Sequence, residues 1–308
     1  MEGTNWSSAD VFILVGFSDL PQLQVPLFVA FSLIYVITLV GNLLIMAIIY
    51  SNQNMHSPMY FFLVNLSFID ISYTTVIFPP MLVHFFLDGI YISLTKCLLQ
   101  AYFFMFVLST EVVLLTVMAY DRYMAICNPL HYMLIMKKMV CIWLVAGCWA
   151  IGFLDALPHT VLISRLSFCE SHTINHFFCD VAALMKISCS NTDKIEIVTY
   201  TLGAIVTMTS FILIIFSYVN IVSSILQIKS KGGRQKAFST CTSHLTVVIL
   251  FYTSLCSAYM RPTTTYSMKE NKILSLSYIA ITPLCNPIIY TLKNTEFKNS
   301  LRRTRKTL

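Results

Sequence analysis

The sequence predicts an all-α membrane protein, a seven-transmembrane helix bundle followed by a short amphipathic C-terminal helix. Hydrophobic residues make up 57% of the 308 positions and charged residues 11%, whereas an ordinary globular domain is roughly 25% charged. A helix needs about 20 mostly apolar residues to cross the ~30 Å hydrocarbon core of a bilayer, and seven stretches of the chain reach that length. These stretches are too continuously apolar for barrel strands, so helices must satisfy the backbone within the lipid.

The seven predicted spans divide the chain into three parts. They lie at residues 26–50, 58–82, 97–122, 139–162, 196–228, 238–260 and 271–292. Residues 1–25 form an extracellular N-terminal segment, residues 26–292 the seven-transmembrane domain, and residues 293–308 a cytoplasmic tail. Residues 296–308 of the tail are basic and are expected to form the amphipathic helix on the anionic inner leaflet. Because residues 1–25 lack a basic n-region, no signal peptide is expected.

The distribution of basic residues predicts which end of the bundle faces the cytoplasm. If the N-terminus is outside, 13 Lys and Arg residues lie on the inner side and 7 on the outer side. Asn5 begins the sequon Asn5-Trp6-Ser7, and glycosylation at Asn5 fits an outer N-terminus. We therefore expect a multi-pass plasma-membrane protein with an extracellular N-terminus and a cytoplasmic C-terminus.

Two acidic residues lie near the middle of predicted spans, where a charge is costly and by default indicates a function. Asp70 belongs to the second span and Glu111 to the third. If both face the interior of the bundle, the two carboxylates cannot both ionise without a cation or a shared proton. The pattern favours a pair that binds sodium or shares a proton, and the alternative is two carboxyl groups that are hydrogen-bonded separately. No other metal and no organic cofactor is expected.

Asp155 is an acidic residue within the fourth span. If it faces the interior, its carboxylate can hold a cationic amine. The alternative is a structural pairing with His159, one helical turn along the same span, and this is the preferred interpretation.

The tripeptide Asp121-Arg122-Tyr123 closes the third span at its inner end. An arginine at this depth can simply extend to the lipid headgroups beside an acidic neighbour. The position favours a signalling role instead, in which Asp121 holds Arg122 as an ionic latch until a cytoplasmic partner takes the guanidinium group.

The segment Asn286-Pro287-Ile288-Ile289-Tyr290 lies in the seventh span. Pro287 removes a backbone donor and kinks the helix. Asn286 is expected to reach Asp70, and Tyr290 is expected near the inner face. A kink without a signalling role is the alternative, and the position again favours function.

These motifs together with Gly41-Asn42 resemble the rhodopsin-like class of G-protein-coupled receptors, and longer motifs resemble the odorant receptors of that class. The longer motifs are residues 58–63, 118–132, 176–180, 217–218 and 236–245. The sixth span has no proline between residues 237 and 260, as in odorant receptors. The chain departs from the odorant receptor pattern at Pro80, Met124 and Cys285, and none of these is a predicted signalling residue.

The resemblance implies two disulfides and a ligand pocket. The expected bridges are Cys97–Cys179 and Cys169–Cys189. The pocket is expected in the outer half of the bundle, under the bridged second outer loop, with a small volatile odorant as its ligand. Its expected lining is Phe104, Met105, Leu108, Ser109, Leu202, Val206, Cys256, Tyr259 and Ile279. For each of these residues the alternative is ordinary helix packing.

The resemblance also implies signalling through a heterotrimeric G protein with a stimulatory, olfactory-type α subunit, which raises cAMP. Ligand contact is expected to shift the sixth span and to loosen contacts near the inner face. The expected signalling residues are Asp121, Arg122, Tyr123, Tyr218, His244, Tyr252, Asn286, Pro287 and Tyr290.

Other classes of membrane protein fit the sequence less well. A transporter or channel needs a continuous polar path, and the charges within the spans are too sparse to form one. The sequence contains neither the His-Glu-x-x-His nor the Gly-x-Ser-x-Gly pattern of an enzyme, and no nucleic-acid partner is expected. A receptor with a non-olfactory role on the same scaffold is an alternative that the sequence leaves open.

Overall fold

A computed structural model of the chain contains seven helical units long and apolar enough to cross a membrane, so the predicted fold is confirmed. The structure describes residues 11–17, 21–87, 89–169, 172–259 and 268–293. The predicted sequon at Asn5 and the predicted tail helix at residues 296–308 lie outside these ranges. In chain order, the helices are α1 (Gln24–Ser51), α2 (Pro58–Val83), α3 (Leu94–Cys127), α4 (Pro129–Ile135), α5 (Lys138–Ile163), α6 (Val181–Lys186), α7 (Asp193–Gln227), α8 (Lys231–Tyr259), α9 (Met268–Leu276) and α10 (Thr282–Lys293).

The spanning units are α1, α2, α3, α5, α7, α8 and the pair α9 and α10, while α4 and α6 are short helices in loops. Several spanning helices are longer than predicted, since α3 continues to Cys127 and α8 begins at Lys231. The prediction counted apolar residues, whereas a helix that closes its own hydrogen bonds can continue into water.

The helix α3 is central and contacts α2, α5, α7 and α8. Buried residues occur along it from Cys97 to Met124. Gly152 of α5 allows this helix to approach α3 closely, because a Cβ atom at Gly152 would lie 2.6 Å from the carbonyl oxygen of Phe106. The position of α3 therefore links both ends of the bundle.

The seventh span is irregular at its centre. The sequence predicts one kink, at Pro287, and the structure adds a π-helical turn, Ser277–Ile281, between α9 and α10. The hydroxyl of Tyr73 in α2 donates to the carbonyl oxygen of Tyr278 at 2.9 Å. A carbonyl group in the irregular turn thus has a partner outside its own helix, as buried backbone groups require.

A three-stranded sheet covers one end of the bundle, here named the outer end, and the opposite end is named the inner end. Strand β1 (Val11–Leu14) pairs antiparallel with β2 (Ile90–Ser93) and parallel with β3 (Thr173–Ile174). Phe12 and Leu14 are buried beneath it. The all-α prediction did not include this sheet, because strands of two to four residues carry almost no periodic signal.

Candidate functional site

A cavity of about 190 Å³ lies among α3, α5, α6, α7 and α8 toward the outer end. The predicted pocket residues that line it are Phe104, Met105, Leu108, Ser109, Val206 and Cys256. The other lining residues are Val112, Asp155, Asp180, Val181, Ala182, Met185, Thr199, Tyr200, Gly203, Ala204, Thr207 and Leu255. The walls are mostly apolar with a few polar groups, which is the usual character of a small-molecule site.

Two predicted pocket residues, Leu202 and Ile279, do not line this cavity. The helix α7 faces the cavity with Thr199, Gly203 and Val206, and Leu202 is rotated by about 100° from its neighbour Gly203. Ile279 is fully buried in the π-helical turn, and no described residue of the seventh span borders the cavity. The side chain of Tyr259 lies outside the described part of the chain.

The outer loop that follows α5 supplies one wall of the cavity, and the expected lining did not include any residue of this loop. Asp180 caps α6, since its Oδ1 accepts a hydrogen bond from the backbone N–H of Ala182 at 2.7 Å. The cap starts a helical turn that brings Val181 and Met185 to the cavity. An Asp at the N-cap is a sequence signal for a helix, but nothing in the sequence places that helix over the spans.

Two disulfides hold this loop at the outer end. The structure contains both expected bridges, Cys97–Cys179 with a Cα–Cα distance of 5.4 Å and Cys169–Cys189 with one of 6.0 Å. Gln100 of α3 adds a polar contact, because its Oε1 accepts from the backbone N–H of Cys179 at 3.0 Å. The loop is therefore fastened to α3 beside the cavity.

Asp155 is the acidic residue that α5 contributes to the cavity lining. The Ser109 hydroxyl of α3 donates to Asp155 Oδ2 at 2.5 Å. His159 instead contacts α7, with 3.2 Å between its Nδ1 and Thr199 Oγ1. Asp155 thus accepts a hydrogen bond across helices from Ser109, whereas the sequence favoured a pairing with His159.

Asp70, Glu111 and Asn286 lie together in the interior. Asn286 Nδ2 donates to Asp70 Oδ1 at 3.2 Å and to Asp70 Oδ2 at 3.0 Å, which is the contact expected from the sequence. Both carboxyl groups are buried and close enough to repel each other if both are ionised. Among the described residues, Glu111 Oε1 has no hydrogen-bond partner. This oxygen is therefore available to bind a proton or a cation.

Asp121 and Arg122 form a buried ion pair at the inner end of α3. The Tyr132 hydroxyl of α4 also donates to Asp121 Oδ1, at 2.8 Å. Burial and the negative charge of Asp121 raise the pKa of Tyr132, so the phenol stays neutral and remains a donor. The sequence did not identify Tyr132 as a third member of this contact, because α4 follows the predicted span.

Tyr218 and His244 join α7 to α8 near the inner end. The Tyr218 hydroxyl oxygen lies 2.7 Å from His244 Nδ1, and the two rings stack with centroids 5.9 Å apart. About two helical turns away along α8, the ring of Tyr252 lies 5.1 Å from that of Phe211 in α7. A displacement of α8 would therefore disturb both contacts.

The remaining predicted signalling residues lie around this inner half. Tyr123 is half-buried against the core, and Tyr290 is buried. A Cβ atom at Gly41 of α1 would lie 3.0 Å from Pro287 Cβ, so Gly41 permits close packing at the kinked helix.

Comparison with known proteins identifies the family of the chain. The sequence profile of the olfactory receptor family matches residues 31–306. The chain belongs to the olfactory receptor family. Olfactory receptor 1L4 of Homo sapiens is 48% identical over 306 residues, covering 99% of this chain and 98% of the relative. The olfactory receptor-like protein COR4 of Gallus gallus is 46% identical over 303 residues, covering 98% and 97%.

A solved structure shows the same fold at greater distance. The crystal structure of squid rhodopsin superposes with a TM-score of 0.75 and 15% identity, covering 92% of this chain and 81% of that chain. The olfactory receptor family comprises G-protein-coupled receptors rather than enzymes. This olfactory receptor is accordingly a multi-pass plasma-membrane protein that senses odorants and couples to a G protein.

Proposed function

We propose that this olfactory receptor binds small volatile organic molecules in the cavity of about 190 Å³ and activates a stimulatory, olfactory-type G protein that raises cAMP. The main support is that two helices reach both regions. The helix α3 carries Leu108 at the cavity and Arg122 at the inner end, and α8 carries Cys256 and His244. A ligand that moves either helix at the cavity therefore also moves contacts at the inner end.

The proposed orientation places the outer end outside the cell. The cytoplasmic side of the chain then carries 13 basic residues against 7 on the outer side, as the positive-inside rule requires. Both disulfides lie at the outer end, and disulfides persist in oxidising extracellular surroundings. Odorants then enter from outside, and the contacts of Arg122 face the G protein.

The proposed mechanism is a shift between closed and open arrangements of the inner end. A ligand shifts this equilibrium only if it binds the open arrangement more tightly. Contact at the cavity displaces α8, the Tyr218–His244 contact loosens, and Arg122 leaves Asp121. The inner ends then separate, and the C-terminal helix of the G-protein α subunit inserts between them.

The variant Arg122→Ala is expected to abolish odorant-stimulated cAMP while the receptor still reaches the cell surface. The measurement is cAMP in cells that express the receptor with a stimulatory olfactory-type α subunit, screened against a chemically diverse odorant panel. Arg165→Ala is the matched control, because Arg165 is exposed at the outer end and should leave the response intact. A cAMP response from Arg122→Ala at wild-type surface density would contradict the mechanism.

We also propose that Asp70 and Glu111 share a sodium ion or a proton. The buried oxygen of Glu111 without a partner among the described residues supports this, because a buried polar atom is costly when unpaired. A cation or a proton would also remove the repulsion between the two carboxylates.

The sodium form of this proposal predicts an ion-specific gain in stability. Replacing choline chloride by sodium chloride should stabilise the purified receptor by about 1–3 kcal/mol, as binding to the folded state alone does. Asp70→Asn and Glu111→Gln should each remove this gain in a melting experiment. If the two carboxyl groups share a proton instead, sodium has no effect and Glu111→Gln retains wild-type stability. Both forms are contradicted if the wild-type receptor gains no stability from sodium and Asp70→Asn keeps wild-type stability and cAMP signalling.

A further inference from the structure

Asp155 offers a hydrogen-bond acceptor to the cavity. Its carboxyl group is largely buried and lines the cavity from α5. The Ser109 hydroxyl donates a hydrogen bond to Asp155 Oδ2 at 2.5 Å. Within the described chain, Asp155 Oδ1 receives no hydrogen bond. A serine on one side therefore orients the carboxylate and leaves its second oxygen for a ligand.

The charge of the cavity lining is one-sided. Its acidic residues are Asp155 and Asp180, and the described lining contains no Lys, Arg or His. The carboxylate of Asp180 already accepts a hydrogen bond from the backbone of α6. Asp155 is therefore better placed than Asp180 to bind a ligand in the cavity. A buried charge is costly unless it is paired, so a cationic ligand would supply the positive charge that the described cavity lining lacks.

We propose that the cavity selects small protonated amines, whose ammonium group donates to Oδ1 of Asp155. This inference rests on the proposed function and names the ligand class of the same site. An ammonium group has three donors and no acceptor, which matches a carboxylate that keeps one oxygen open. The apolar walls, among them Phe104, Leu108 and Leu255, contact the hydrocarbon part of the ligand.

The size of the cavity suggests the probe. An engineered protein cavity of about 150 Å³ holds benzene, so about 190 Å³ accommodates a benzene ring with a one-carbon arm. Benzylamine, protonated at pH 7.4, is that molecule with the proposed charge. Benzyl alcohol, toluene and benzoate keep the skeleton and replace the charge by a neutral donor, by no donor and by a negative charge.

The test is binding of these four probes to the purified full-length receptor in lipid nanodiscs, measured as ligand-dependent thermal stabilisation. We expect benzylamine to bind best and benzoate worst. Asp155→Asn should weaken benzylamine roughly 10- to 100-fold, the loss expected for a charge-assisted hydrogen bond, and change benzyl alcohol by less than about 3-fold. Asp193→Asn, an exposed aspartate at the start of α7, is the matched control and should leave all four affinities unchanged.

The outcomes separate this inference from the proposed function. If benzyl alcohol or toluene binds the wild-type receptor as tightly as benzylamine, the amine inference is wrong, and the proposed function stands when those probes raise cAMP. If Asp155→Asn binds benzylamine normally, the carboxylate is structural and the inference is also wrong. Asp155-dependent binding of benzylamine without any cAMP response would support the inference and overturn the coupling. Because the wild-type ranking of probes needs no variant, a poorly folding Asp155→Asn still leaves a decisive result.

Discussion

At the scale of single residues, Asp121 contacts Tyr132 as well as its neighbour Arg122. Its Oδ2 accepts from Arg122 Nε at 3.0 Å, and its Oδ1 accepts from the Tyr132 hydroxyl at 2.8 Å. Removing one partner of a buried ion pair typically costs about 3–5 kcal/mol, so Arg122→Ala affects stability as well as signalling. Arg122→Gln keeps hydrogen-bond donors without the charge and separates the two effects. A signalling loss in both variants at normal surface density would assign the function to the charge.

At the scale of helices, the contact between α3 and α5 depends on Gly152. We predict that Gly152→Ala destabilises the receptor by about 1–3 kcal/mol, as overpacking of a dense interior does, because the new methyl group would overlap the carbonyl oxygen of Phe106. The Ser109–Asp155 hydrogen bond joins the same two helices, so ligand affinity should fall as well. Thermal melting and probe binding measure the two effects.

Gly147 on the same helix provides the control for this prediction. Nothing lies within 4 Å of a Cβ atom added at Gly147. Gly147→Ala should therefore be neutral or slightly stabilising, since alanine favours helix more than glycine by about 1 kcal/mol. Equal melting temperatures for the two alanine variants would refute the role of Gly152.

The spanning helices were predictable because each must be long and apolar, a requirement that lipid imposes on every span. The short elements were not predictable in the same way. The strand Val11–Leu14 and the helix Val181–Lys186 are formed through long-range contacts with other segments, and no local pattern specifies those contacts. The π-helical turn Ser277–Ile281 likewise depends on a partner in α2.

The lining of the cavity was likewise easier to predict on a regular helix than on an irregular one. Four of the expected lining residues, Phe104, Met105, Leu108 and Ser109, face this cavity, because α3 is a regular helix at the centre of the bundle. Ile279 does not line this cavity and is buried in the irregular π-helical turn of the seventh span. The environment of Asp155 depends on the approach of α3 to α5, so the sequence favoured a pairing with His159 on the same helix and did not identify Ser109 as the partner.

At the scale of the whole molecule, the outer sheet packs against the outer ends of the helices, since Phe12 and Leu14 share a buried cluster with Cys97 and Ile163. Lys272 Nζ of α9 donates to the carbonyl oxygen of Gly16 at 2.6 Å. His84, just after α2, packs beneath Gly16, and His176 is buried in the outer loop. Residues 11–17 thus connect the ends of several spans, and we name these residues with their contacts to His84, His176 and Lys272 the outer cap.

The outer cap is predicted to weaken in acid. Burial lowers the pKa of His84 from 6.5 to about 4, and burial with the positive charge of Lys272 lowers the pKa of His176 to about 3. In the opened cap both pKa values return toward 6.5, so the opened form binds protons first as the pH falls. The closed cap is therefore fully stable above about pH 6.5 and loses stability as the pH falls from 6.5 to about 4 for His84 and to about 3 for His176. At pH 5 each histidine lowers the free energy of opening the cap by about 2 kcal/mol, since one pKa unit corresponds to about 1.4 kcal/mol.

Hydrogen exchange at the backbone amides of residues 11–17 measures this loss, after correction for the intrinsic pH dependence of exchange. Protection should fall between pH 7.5 and pH 5 in the wild-type receptor and stay nearly constant in the double variant His84→Gln and His176→Gln. His131→Gln is the control, because His131 is exposed near the inner end and its loss should leave the pH dependence of the cap intact. If the double variant retains the wild-type pH dependence, the two buried histidines are not its cause, and the acid sensitivity must come from another group of the outer end.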